Sequence, residues 1–157
     1  MADIAAFPTI AAVLCSGNNI VNLTATTAVN AGQVVGINAT GVSGAVDKCV
    51  AASGEMPVGV ALYGVSAGAV VAVATVGCIA YVANADDGTA IDAGSWLETN
   101  DNAVGGTVNA VAVAAIAGAV GTGHYGVIGV AIDDIAASGT GRVLITGPQN
   151  VIQLNNA

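Results

Sequence analysis

Apolar residues along this chain alternate with small or polar ones over short runs. Val58, Val60 and Leu62 alternate with Gly59, Ala61 and Tyr63, and Val71, Val73 and Thr75 repeat the pattern. A period of two is that of a strand with one buried face. Runs of this kind predict strands at Ile20–Ala25, Gln33–Asn38, Ala45–Ala51, Val58–Leu62, Val70–Val76 and Cys78–Ala83. Further runs follow at Ser95–Glu98, Thr107–Val113, Tyr125–Ile132 and Gly141–Thr146, with a final edge strand at Val151–Leu154. Gly, Asn, Asp and Pro punctuate them. Asn84-Ala85-Asp86-Asp87-Gly88 is the clearest turn, because Asn, Asp and Gly tolerate the backbone angles that turns need. Short strands rich in Val, Ile and Thr with regular turns predict an all-β barrel or sandwich-like module. Ala content favours a short helix only at Ala110–Gly121, and Val and Gly weaken it there.

The pattern occurs twice. Asn30–Asn38 (NAGQVVGIN) aligns with Asp92–Asn100 (DAGSWLETN), and Thr40–Lys48 with Asn102–Ala110 at the same offset. Val58–Gly77 (VGVALYGVSAGAVVAVATVG) aligns with Ile128–Gly147 (IGVAIDDIAASGTGRVLITG), displaced further by an Ala/Gly-rich insertion at Val111–Gly123. An internal repeat of roughly 50 residues is the signature of a repeated β unit. The expected organisation is an N-terminal arm or tail at 1–18 and one β domain at 19–157. Its pseudo-repeats lie at about 30–77 and 92–147, and the Asn84–Gly88 turn separates them.

Composition narrows the function. Charged residues are 8% of the chain and hydrophobic ones 55%, against roughly 25% charged in an ordinary soluble domain. Too few polar side chains exist to cover the surface, so apolar area must remain exposed, which usually marks a contact with another protein or a membrane. The net charge is −8, with Lys48 and Arg142 the only strong cations. That argues against nucleic acid, whose binding rests on several Lys/Arg–phosphate contacts, and against an anionic membrane face. Cys15, Cys49 and Cys78 have no metal-like spacing. An odd number, with no basic region ahead of the apolar N-terminus to suggest a secretory signal, is expected to be buried reduced thiols in a protein folded in a cytoplasm.

Met56–Ala85 carries no charge, and Ala103–Ile132 carries only His124, so each is long enough to span a bilayer. The repeat argues otherwise: Asp133, Asp134 and Arg142 stand where the first copy has Tyr63, Gly64 and Ala72. Equivalent positions should share an environment, which makes Tyr63–Gly64 an exposed turn. Lys/Arg clusters and aromatic belts are also missing from the flanks of both runs.

Chemical motifs are weak. Gly64-Val65-Ser66-Ala67-Gly68 matches the nucleophile-elbow pattern, which needs a strand-to-helix turn with a His and an acid. His124 is the sole histidine, and Ala136 replaces Ser66 in the second copy. Gly121–Gly126 matches G-x-G-x-x-G, but a β-like run follows it where a dinucleotide site needs a helix. Asp86, Asp87 and Asp92, or Asp133 with Asp134, lack the alternating spacing of a calcium loop. The expectation is no catalytic, cofactor-binding or metal site and no enzymatic activity.

The AGQVVGIN turn and strand, the PVGVALYGVSAGAVVAVATVG run, DAGSWLETN and the closing IGVAIDDIAASGTGRVLITG together resemble small capsid decoration (cement) proteins of tailed viruses. The resemblance covers about Asn30–Gly147. It implies a β-rich structural virion protein, commonly a homotrimer. Such a subunit binds the major capsid protein on the outer surface of the assembled shell and stabilises it, with residues 1–18 as a contact arm. It would be made in the host cytoplasm, with no cofactor, nucleic acid or membrane partner. The duplication and the 111–123 insertion depart from the simplest members. A head-fibre base or other minor virion surface protein is the alternative, ahead of a small integral membrane protein or a small enzyme.

Overall fold

The apolar runs pair with one another in a strict order. A computed structural model describes residues 14–15, 17–37, 44–50, 56–84, 89–100, 105–111 and 126–150. A 3-10 turn at Gly17–Asn19 leads into β1 (Ile20–Ala25), β2 (Val34–Ile37), β3 (Ala45–Lys48), β4 (Pro57–Ala61) and β5 (Val70–Ala74). These five form a closed barrel in the order β1-β3-β2-β4-β5. Next come β6 (Ile79–Ala83), β7 (Trp96–Thr99), β8 (Val108–Ala110), β9 (Gly126–Ala131) and β10 (Thr140–Asn150), which form a second sheet in the order β6-β10-β9-β7-β8. The protein is therefore all-β. The predicted strand at Val151–Leu154, most of the Ala110–Gly121 segment and His124 lie outside the described residues.

The two sheets are the same fold. In the first, β1 runs antiparallel to β5 with Ile20 opposite Ala74; in the second, β6 runs antiparallel to β10 with Ile79 opposite Leu144. The first barrel closes by parallel pairing of β1 with β3 through Ala25 and Val46. A single parallel bridge between the equivalent residues, Asn84 and Val108, joins the ends of the second sheet. The bridges Val29–Val65 and Ile91–Ile135 also correspond. Strand β6 thus takes in the second copy the place of β1 in the first, and the copies divide at the Thr75–Cys78 turn, ahead of the boundary expected at Asn84–Gly88.

Both interiors are built from equivalent positions. Val35, Val46, Ala61 and Val73 fill the first barrel, and Leu97, Val108, Ala131 and Val143 fill the second. Burying each valine or leucine among them contributes roughly 1.5–3 kcal/mol. One pair of changes offsets itself in volume. The first barrel packs Val65 with Val71; the second has Ile135 beside Gly141, where a Cβ on the glycine would run into the Ile135 side chain. Close packing leaves no space for a larger side chain at both places. Buried Asn84 replaces Ala25, and its amide donates to the carbonyls of Thr89 (2.8 Å) and Ala136 (3.1 Å), pinning two turns of the second barrel.

The barrels pack side against side. Val34, Cys49, Val60 and Ala74 project outward from the first barrel, yet they are wholly buried in a cluster shared with the second. Strand β4 lies against β9 and β10. A loop of the second barrel completes the joint. The Val34 N–H donates to the Gly106 carbonyl (2.8 Å), the Gly106 N–H donates to the Cys49 carbonyl (2.9 Å), and the Gln33 amide donates to the Gly105 carbonyl (3.1 Å).

The cysteines differ from expectation. Cys15 and Cys78 form a disulfide with Cα atoms 4.6 Å apart, and Cys49 is a buried thiol outside it. The sequence separation of 63 residues gave no sign of this proximity. It arises because Leu14 pairs antiparallel with Ile79, each N–H donating to the other's carbonyl at 3.1 Å, which sets Cys15 beside Cys78.

Candidate functional site

Residues singled out for chemistry do not converge. Ser66 sits exposed in the turn between antiparallel strands β4 and β5, where its carbonyl accepts from the Ala69 N–H (3.1 Å). A strand-to-helix elbow is a different geometry. Asp92 is an exposed turn residue whose carbonyl accepts from the Ser95 N–H. Asp134 accepts from the Ala93 N–H (2.8 Å) and so ties two turns of the second barrel together. Asp86 and Asp87 lie outside the described residues. No group of three or more His, Cys, Asp or Glu that could hold a metal ion occurs among the described residues. The apolar run from Met56 to Ala83 is strands β4, β5 and β6 with their turns, and no helix among the described residues is long and apolar enough to cross a membrane. Tyr63 and Gly64 are exposed, as the second copy's aspartates imply.

Asp133 carries an ion pair with Arg142. The Arg142 side chain donates to both its carboxylate oxygens, at 2.8 and 2.6 Å, and the Arg142 backbone N–H adds a third bond. Chiefly through the guanidinium hydrogen bonds, the Asp133 carboxyl is held well below the usual carboxylate range, at about 2. A depressed folded-state pKa contributes stability above the unfolded value, roughly pH 4, and that contribution disappears as pH falls through about 2. Arg142→Ala is therefore expected to lower the melting temperature slightly at pH 7. The difference from wild type should vanish near pH 2, as read by paired thermal melts at the two pH values. The effect is small because the pair is solvent-exposed.

What the molecule does present is surface. Trp96, Val130 and Leu144 are successive cross-strand neighbours on β7, β9 and β10. Their side chains point away from the barrel interior. Trp96 is 45% exposed and Leu144 39%, with Ile132 at 37% beyond the end of β9. The Val111 N–H donates to the Trp96 carbonyl and extends the apolar row. This row is the feature that chemical motifs could not reveal. Its signal in the sequence is that Trp96 aligns with Val34 and Leu144 with Ala74: the second copy carries bulkier apolar residues where the first carries smaller ones.

The fold has a counterpart among solved structures. The chain is similar to the head fiber gp8.5 N base of bacteriophage phi29, with a TM-score of 0.55 and 15% identity over 88% of this chain and 98% of that one. At that identity the likeness establishes the all-β fold. No protein-family model and no curated protein matches the sequence.

Proposed function

We propose that this chain is a structural protein of a phage virion, a decoration subunit bound to the outer surface of the assembled head. The observation that carries the reading is the likeness to the phi29 head fiber base across nearly the whole of both chains. A charge-poor surface and an exposed apolar row support it, since a subunit of this kind acts by burying area. It would act without catalysis, as a homotrimer on the major capsid protein, and many weak copies would combine through multivalency. A head-fibre base is the second reading, favoured by the description of the similar structure itself.

One experiment separates the two. Purified protein is mixed with expanded empty heads of the phage that encodes it, and bound and unbound heads are challenged by heat and by low ionic strength. Decoration predicts saturable binding and heads that survive higher temperature or lower salt. A fibre base predicts saturable binding with head resistance unchanged. Failure to bind heads at all removes the virion-surface reading.

A further inference from the structure

The joint between the two barrels is head-to-tail, and each of its two halves occurs a second time, partly exposed. The acceptor half is the row Val34–Val60–Ala74 on the first barrel, with Cys49 beside it, all fully buried by the second barrel. The equivalent row on the second barrel is Trp96–Val130–Leu144, with Val111 in the place of Cys49. It is apolar at every position, with Trp96 and Leu144 exposed and Val130 and Val111 half-buried. The donor half is the Gly106 loop and Ile128 of the second barrel. Ile128 points outward from its own barrel, since it neighbours inward Gly129, and is nevertheless completely buried.

Its equivalents in the first barrel are Gly44 and Val58. Gly106 and Gly44 share the same left-handed backbone, φ 80° and 77°. A Cβ on Gly106 would lie 2.8 Å from the Gln33 Cβ across the joint, whereas a Cβ on Gly44 would meet nothing within 4 Å. Val58 is only half-buried.

We propose that the Trp96–Val130–Leu144 face binds the Gly44–Val58 face of a second copy of this chain, repeating between molecules the joint that already exists within one. The proposal does not depend on the virion reading; it supplies the surface through which the self-assembly named there would occur. Two further points favour a second copy over an unrelated partner. The acceptor row uses the equivalent strands in the same register as the internal one, and the matching donor, with Gly44 exposed and Val58 half-buried, lies on the same molecule. An interface that joins unlike faces is heterologous, and repeated it closes into a ring or extends as a filament.

The test uses the full chain. Trp96 is the single tryptophan, so its emission reports the face without mutation. The wild type is expected to show a blue shift with rising concentration, together with a rise in mass above 14.9 kDa by light scattering. Trp96→Glu removes the acceptor and Val58→Glu the donor; each alone is expected to stay at monomer mass with wild-type circular dichroism. Mixed in equal amounts they are expected to give a dimer and nothing larger, because one intact donor meets one intact acceptor. A wild type that remains monomeric with unshifted emission at all concentrations overturns the proposal. So does an oligomer that survives Trp96→Glu, or a mixture that stays monomeric. Trp96 emission that shifts only when phage heads are added also overturns it and assigns the face to the shell. The wild-type measurements decide the matter even if a variant fails to fold.

Discussion

Alanine at Gly59 is expected to destabilise the protein by about 4 kcal/mol or more, an effect of the size reserved for severe steric or cavity defects. The reason lies in how closely β4 approaches β5. A Cβ on Gly59 would overlap the Ala74 carbonyl oxygen and crowd the Val73 side chain at 2.9 Å. The obstacle is backbone in a paired strand, so no rotamer change relieves it and the two strands must separate. The second barrel repeats the constraint: a Cβ on Gly129 would overlap the Leu144 carbonyl and meet the Val143 side chain. Gly129→Ala is expected to cost about as much as Gly59→Ala, because β9 carries Ile128 into the contact between barrels as β4 carries Val60. The control is Gly68→Ala, where φ is 81° and no atom lies within 4 Å. There only the left-handed backbone penalty of roughly 1–2 kcal/mol applies. Denaturant unfolding of the three variants checks the order. Equal midpoints for Gly59→Ala and Gly68→Ala would mean that β4 and β5 do not approach each other in this way.

Those two glycines, Gly59 and Gly129, also show what was legible in the sequence. They fall on one another in the alignment, inside otherwise alternating apolar runs, and such glycines mark close backbone approach. Strand positions follow from periodicity because each strand buries one face; β1 coincides with its apolar run to the residue and most other strands agree with theirs within two. Register was not legible. Ile20–Ala25 and Ile79–Asn84 have only their first residue in common, so the equivalence of β1 and β6 emerges from their pairing with β5 and β10. The closing bridge between Asn84 and Val108 was hidden for the same reason. The exposed apolar row was half-visible. Low charge required apolar surface somewhere, but outward positions of equivalent strands diverge according to what covers them. Val34 and Trp96 occupy the same place in two barrels, and only the structure shows one covered and the other open.

The cysteine pairing leads to the second large effect. Reduction of the Cys15–Cys78 disulfide, or Cys78→Ser, is expected to lower stability by about 4 kcal/mol. A cross-link between residues 63 apart restricts the unfolded chain by roughly that amount on a loop-closure account. That is a large share of the roughly 5–15 kcal/mol that holds an ordinary domain folded. Thiol titration in denaturant supplies the first check, with one reactive group (Cys49) expected before reduction and three after. Denaturant midpoints with and without reductant supply the second. Three reactive thiols in the untreated protein, or coincident midpoints, would remove the cross-link from the account. The consequence extends beyond stability, because Leu14 pairs with Ile79, and Ile79 is the cross-strand neighbour of Leu144. The disulfide therefore fixes the 14–15 segment at the border of the exposed apolar row. Reduction is expected to loosen that border first, so association through Trp96 should weaken in reductant at temperatures well below the melting point, with the circular dichroism still that of the folded chain.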